Sequence, residues 1–193
     1  MTGEWVFVCG ASGAGKDSVI GWAREHLAGH PAVIFAQRIV TRAGPAGPDH
    51  QSVHPTHFEM LRERGSLAWH WQAHGWGYGI AARYARQVAW GRLVVVNGSR
   101  EHVACLPQEG IRSVTVAAQP TTLATRLAGR GRDAPEAIAQ RLARNGRFAA
   151  SSSDLVICND GELAQAGQRL AEFLLSRAEI KQQGGRLSLP GGV

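Results

Sequence analysis

Apolar positions in this chain fall into short unbroken runs, separated by stretches in which they recur every three to four residues. The short runs at 4–9, 33–36, 39–41, 93–96, 113–117 and 155–158 read as strands, and Leu93-Val94-Val95-Val96 has the character of a strand buried on both faces. Residues 66–73 alternate, with Leu67, Trp69 and Trp71 on one side, and read as a further strand. Helical spacing covers 18–27, 54–61, 81–90, 120–128, 135–148 and 162–176, with Pro55 and Pro120 at first-turn positions and Gly29 and Gly91 as stops. Residues 43–51, rich in Gly and Pro, read as a mobile loop, 75–79 as a turn-rich segment, and the chain beyond Lys181 as a disordered tail. Strands alternating with helices predict an α/β domain with a parallel sheet.

In such a sheet ligands bind at the carboxyl ends of the strands. Three chemically unusual stretches follow strands here. The first is Gly10-Ala11-Ser12-Gly13-Ala14-Gly15-Lys16, a G-x-x-x-x-G-K phosphate-binding loop between a strand and a helix. Its glycines let successive N–H groups turn inward toward phosphate oxygens, the helix adds the positive end of its dipole, and Lys16 adds a point charge. The motif ordinarily continues with Ser or Thr; here Asp17 intervenes and Ser18 follows. Asp17 and Ser18 are the candidate Mg²⁺ ligands. The second stretch is Arg38–Arg42, in which Arg38, Val40 and Arg42 share one strand face, so that two guanidinium groups can grip a phosphate. The third is Asn97-Gly98-Ser99-Arg100, where an uncharged Asn97 ends the strand that commonly supplies a metal-binding Asp.

Arginines also gather later in the chain. Arg126 and Arg130 are four apart at a helix end, glycines interrupt the helix at 129 and 131, and Arg141 lies on the next helix. This is the layout of a lid closing over a triphosphate, where positive charge stabilises the moving phosphoryl group. Tyr78 is a candidate donor to an acceptor phosphate.

Composition narrows the setting. The 193 residues carry a formal charge of +6, which favours anionic partners, and of the 21 basic residues only Lys16 and Lys181 are lysine. With arginine the default cation, a lysine in the loop marks a requirement. Cys9, Cys105 and Cys158 show no metal-ligand spacing, and Cys9 and Cys158 end apolar runs, which predicts buried free thiols in a reducing, cytoplasmic setting. No secretion signal and no apolar run of membrane-spanning length is expected. The acceptor is expected to be a small molecule rather than nucleic acid, and the oligomeric state, a homodimer included, stays open.

Taken together, the loop 10–16, Thr41-Arg42, Tyr78-Gly79, the lid arginines and Asp154–Asp160 resemble the guanylate-kinase-type nucleoside monophosphate kinases over about residues 4–176. The resemblance implies a P-loop three-layer αβα fold over 1–178, an acceptor-binding insertion at about 37–80, a lid at about 129–140, and a flexible tail from 179 to 193. It also marks departures. Trp69 and Ile80 stand where that family places the Glu and Ser or Thr that read guanine, Arg38 replaces a Ser, and a second acceptor arginine falls at Pro45. These departures, with Gly-Lys16-Asp17-Ser18, Asn97-Gly-Ser-Arg100 and Arg130-Gly-Arg132, resemble the ribose 1,5-bisphosphate phosphokinase family. That resemblance implies ATP with Mg²⁺, a sugar bisphosphate acceptor and a place in phosphonate breakdown. In it Lys16, Arg126, Arg130 and Arg141 act on the transferring phosphoryl, residues 10–18 hold the nucleotide, and Arg38, Arg42, Tyr78, Asn97 and Arg100 hold the acceptor. A nucleoside monophosphate kinase and a non-catalytic binding module are the alternative readings.

Overall fold

The computed structural model describes residues 2–44, 47–73, 75–129 and 153–186. A five-stranded sheet has the order β2-β7-β1-β8-β9 and is parallel throughout. Its strands are β1 (Glu4–Gly10), β2 (Val33–Phe35), β7 (Leu93–Asn97), β8 (Ile111–Ala117) and β9 (Leu155–Cys158). A four-stranded sheet, β4-β3-β6-β5, is built from β3 (Arg38–Val40), β4 (His50–Ser52), β5 (Leu67–Ala73) and β6 (Trp76–Ala81). The helices are α1 (Lys16–His26), α2 (Pro55–Glu63), α3 (Arg83–Ala89), α4 (Arg100–Val103), α5 (Pro120–Ala128) and α6 (Leu163–Arg186).

Strand β1 is buried along nearly its whole length because both its faces are covered. Val6 and Val8 face α1 and α6, packing with Val19, Ile20, Leu170 and Leu174. Trp5, Phe7 and Cys9 face the other way, toward Trp71, Ile80 and Tyr84 of the smaller sheet and α3. The close approach of α1 and α6 depends on Gly167, where a Cβ would lie 2.4 Å from the Trp22 ring. At the far end of β1, Glu4 is buried and bound by Arg112 and Arg177, with Lys181 at 3.4 Å. Helix α6 is thereby tied to the sheet by charge as well as by apolar contact.

Several expectations need correction. Part of the stretch read as a loop forms β4, hydrogen-bonded beside β3. The segment read as turn-rich is β6, the strand that joins β3 to β5. Its glycines serve packing: a Cβ on Gly77 would come within 3.1 Å of Phe58, and one on Gly79 within 3.0 Å of Leu67. The short α4 was not foreseen. Helix α6 continues through Arg186, so the tail expected from 179 begins in helix. Cys158, in the edge strand β9, and Cys105, in the turn after α4, are exposed, and of the three cysteines only Cys9 is buried. The expected helix at 135–148, most of the expected lid, and Arg130 and Arg141 lie outside the described residues.

Candidate active site

The site forms where β1 and β7 end side by side, since Val8 pairs with Asn97. Gly10 leaves β1 with φ +147°, and a Cβ there would lie 2.1 Å from the Val116 carbonyl oxygen, so no side chain is tolerated. Gly13 and Gly15 also have positive φ. Gly15 caps α1 without a side-chain hydrogen bond, which leaves the first-turn N–H groups of α1 for a ligand. Ala11, Ser12 and Ala14 complete the loop, and Ser12, Lys16, Asp17 and Ser18 line a small cavity above it.

Within the loop Lys16 donates from Nζ to the Gly10 and Ala11 carbonyl oxygens at 2.9 and 3.1 Å. Burial lowers its pKa and the Asp17 charge opposes that shift. Burial also pushes the neighbouring Cys9 thiol up to about 12, so it carries no thiolate chemistry. Asp17 is a meeting point of three elements. It accepts a hydrogen bond from Asn97 Nδ2, and its carboxylate lies 3.9 Å from Arg38 Nη2. The other side of the Asn97 amide, Oδ1, is buried with no partner among the described residues. An oxygen-seeking divalent cation suits this pairing of a carboxylate with a free amide oxygen. Among the described residues no cluster of three or more His, Cys, Asp or Glu could hold a metal ion.

A larger cavity of about 270 Å³ opens from Lys16 and Asp17 toward the four-stranded sheet. Arg38, Val40 and Arg42 of the β3 segment all line it, as their shared face predicts. Arg38 is mostly buried; burial lowers its pKa, and Asp17 and then Tyr78 oppose the shift. Its guanidinium sits over the Tyr78 ring at 5.8 Å. Tyr78 stacks on Trp71 at 5.6 Å, and Trp71 stacks on His102 at 4.7 Å. Arg100 completes the cavity at the start of α4, beside Ser99 and Glu101.

Trp69 and Ile80, which pair across β5 and β6, do not line the cavity. Ile80 is fully buried, and Trp69 packs edge-on against Trp5 and Phe7. Neither offers a hydrogen bond to a base.

On the nucleotide side Arg126 leaves α5 over the loop, 3.7 Å from where a Gly15 Cβ would stand, with its Nη1 buried and unpartnered among the described residues. Residues that the sequence matched without assigning a task hold this arrangement. Asn159 donates from Nδ2 to the Ala14 carbonyl oxygen at 2.7 Å. Asp160 accepts from the Gln119 N–H at 2.8 Å at the start of α5, and that bond, with others from Thr122 and the Arg126 charge, holds its carboxyl below the ordinary range. His50 and Trp71 were not foreseen as cavity residues. The register of β3 with β4 aligns His50 with Arg38, and β5 with β6 aligns Trp71 with Tyr78; the linear sequence carries no such signal.

No family model matches the chain. Curated relatives do. A protein of Thiobacillus denitrificans named ribose 1,5-bisphosphate phosphokinase PhnN is 40% identical over 185 residues, covering 94% of this chain and 97% of that protein. One of the same name from Agrobacterium fabrum is 35% identical, covering 92% and 99%. A third, from Laribacter hongkongensis, is 42% identical over 91% of this chain, which spans only 43% of that longer protein. Among solved structures, a guanylate kinase from Anaplasma phagocytophilum matches with a TM-score of 0.66 at 16% identity, over 92% of this chain and 87% of that one, a likeness of fold. On the identity and coverage of these relatives, the chain belongs to the ribose 1,5-bisphosphate phosphokinase PhnN family, built on a guanylate-kinase-like α/β fold.

Proposed function

We propose that this protein transfers the γ-phosphoryl group of ATP to the 1-phosphate of ribose 1,5-bisphosphate, giving 5-phosphoribosyl 1-diphosphate and ADP. One observation carries the reading beyond family membership. Among the described residues the acceptor cavity is lined by Lys16, Arg38, Arg42 and Arg100 against Asp17 and Glu101, while Trp69 and Ile80 are turned into the core. A cavity with surplus positive charge and no base reader suits a sugar bisphosphate. Leaving the polar edges of a guanine unpaired would cost about 1–3 kcal/mol each.

In the reaction an oxygen of the 1-phosphate forms a bond to the γ-phosphorus as the bond to the β,γ-bridging oxygen breaks, and the electron pair leaves with ADP. The attacking oxygen is already anionic at neutral pH, so no general base is needed. The loop N–H groups and Lys16 hold the β- and γ-phosphates, for which Lys16 exchanges its carbonyl partners. Arg126, with Arg130 and Arg141 of the lid, neutralises the transferring group. Arg38, Arg42, Tyr78, Asn97 and Arg100 hold the acceptor. Mg²⁺, when bound, offsets phosphate charge; Asp17, Ser18 and the free Asn97 oxygen are the groups to hold it. Asp17 thereby restores the charge that Asn97 lacks. Closure of the lid excludes water and protects ATP from hydrolysis. No helix among the described residues is long and apolar enough to cross a membrane.

The test is coupled ADP release from purified protein with ATP and either ribose 1,5-bisphosphate or GMP. Turnover with the bisphosphate and little with GMP is expected. Preference for GMP would make it a nucleotide kinase, and turnover with neither acceptor would leave only a binding module.

A further inference from the structure

Residues paired in register across neighbouring strands point to one face of a sheet. On the cavity side of the four-stranded sheet one row runs His50, Arg38, Ile80, Trp69 across β4, β3, β6 and β5, and the next runs Ser52, Val40, Tyr78, Trp71. To one side of Arg38 stands Ile80, fully buried and unable to bind an anion. To the other stands His50, which lines the acceptor cavity with Arg38, whereas Gln51, next along β4, is exposed. The backbone around His50 is pinned. Its carbonyl accepts from the Gly47 N–H at 2.9 Å, Gln37 Nε2 donates to the Gly47 carbonyl at 2.7 Å, and the Arg38 N–H donates to the Asp49 carbonyl at 3.1 Å. The Asp49 carboxylate in turn accepts from Arg24 in the last turn of α1. The side chains are not so engaged: among the described residues the His50 imidazole makes no hydrogen bond, and the Arg38 Nε is buried without a partner. A guanidinium N–H and an imidazole, neighbours across two strands, are thus left unpaired at the same cavity.

We propose that His50 is a further acceptor-contact residue, donating from its ring to an oxygen of the phosphate that Arg38 holds, and that the Arg24–Asp49 pair positions it from α1. This rests on the sugar-bisphosphate reading and adds to it a specificity-determining residue. An imidazole carries a ring N–H donor whether neutral or charged, and a phosphate has oxygens enough to accept from both side chains. Arg24 lies on the helix that the phosphate loop opens, so the same helix that caps the nucleotide site steadies the acceptor side.

The experiment is calorimetric titration of ribose 1,5-bisphosphate into wild type, His50→Ala, His50→Asn and His50→Gln, each saturated with a non-hydrolysable ATP analogue whose own affinity is measured alongside. His50→Ala should bind the bisphosphate about 10- to 100-fold more weakly, the loss expected for one charge-assisted contact, with affinity for the analogue held within about twofold. An amide N–H standing in for Nδ1 or Nε2 should recover most of that loss in His50→Asn or His50→Gln, a rescue that a merely structural role does not give. Acceptor affinity of His50→Ala within about twofold of wild type, equal losses for bisphosphate and analogue, or no recovery in either amide variant would overturn the proposal. Arg24→Ala should weaken the bisphosphate by a smaller factor, Arg24→Lys should recover it, and Arg24→Ala should add little in the His50→Ala background; fully additive losses would overturn the positioning role. Wild type that binds GMP more tightly than the bisphosphate would instead defeat the sugar-bisphosphate reading, and the same comparison with GMP as titrant then decides for or against His50.

Discussion

Replacing Gly15 with alanine should destabilise the protein and its nucleotide site together, by a route that can be traced atom by atom. Gly15 has φ +84° and ψ +23°, a left-handed conformation that costs an alanine about 1–2 kcal/mol. The new methyl carbon would lie 2.4 Å from Asn159 Nδ2, too close for any relaxation short of moving that amide. Moving it breaks the buried 2.7 Å hydrogen bond to the Ala14 carbonyl, which costs about 1–3 kcal/mol for a group left unpaired. The sum is about 2–5 kcal/mol, or a fall in melting temperature of about 4–20 °C for a chain of this size. Differential scanning calorimetry measures the fall, and KM for ATP in the ADP-release assay should rise with it. A double mutant makes the reasoning stricter. Asn159→Ala alone loses the same hydrogen bond, but in the Gly15→Ala background that bond is already gone. Adding Asn159→Ala there should cost almost nothing further. Fully additive losses, or a single variant melting within about 2 °C of wild type, would refute the account.

Asp17→Ser, which restores the usual residue after the loop lysine, should raise the Mg²⁺ concentration needed for half-maximal turnover and release Arg38 from its carboxylate; an unchanged Mg²⁺ requirement rules out a metal role for Asp17. Arg126→Ala should lower kcat about 100-fold with little change in the acceptor KM if its Nη1, unpartnered among the described residues, meets charge that develops in the transition state; a change confined to KM assigns it to ground-state binding instead. Glu4 gives a pH dependence. Burial alone would raise its pKa, but hydrogen bonds from Arg177 and then Arg112 outweigh this and hold it below the ordinary value. Its contribution is therefore complete above the unfolded carboxyl pKa, about 4.3, and is lost as pH falls from there through the lowered folded value. Denaturant titrations between pH 3 and pH 7 should show this loss in wild type and a flatter profile in Glu4→Gln, which at neutral pH should be less stable by about 2–4 kcal/mol. Parallel profiles would mean that other carboxylates carry the acid transition.

Much of this protein was determined by the sequence alone, and the reason is locality. A strand followed at once by Gly10–Lys16 and a helix needs no distant partner to be read as a phosphate loop, since glycine conformations and a helix N-terminus are properties of adjacent residues. The α/β class followed from the spacing of apolar runs, and residues 120–128 and 155–158 are helix and strand as that spacing predicts. Tertiary structure decided what depends on pairing. Gly75–Gly79 read as turns because glycine is ordinarily a turn signal; only the seating of Phe58 and Leu67 against β6 shows Gly77 and Gly79 to be clearances in a strand. Helix α6 outruns its expected end because Arg177 and Lys181 close on Glu4, over 170 residues away in sequence. The same holds within the site. Asp17 as a departure from the motif was visible in the sequence, but its hydrogen bond from Asn97 and its approach to Arg38 were not. Nor could the sequence show how differently Arg38 and Arg42, four residues apart, are placed: Arg38 is mostly buried beside a carboxylate from another strand–helix unit, and Arg42 is exposed.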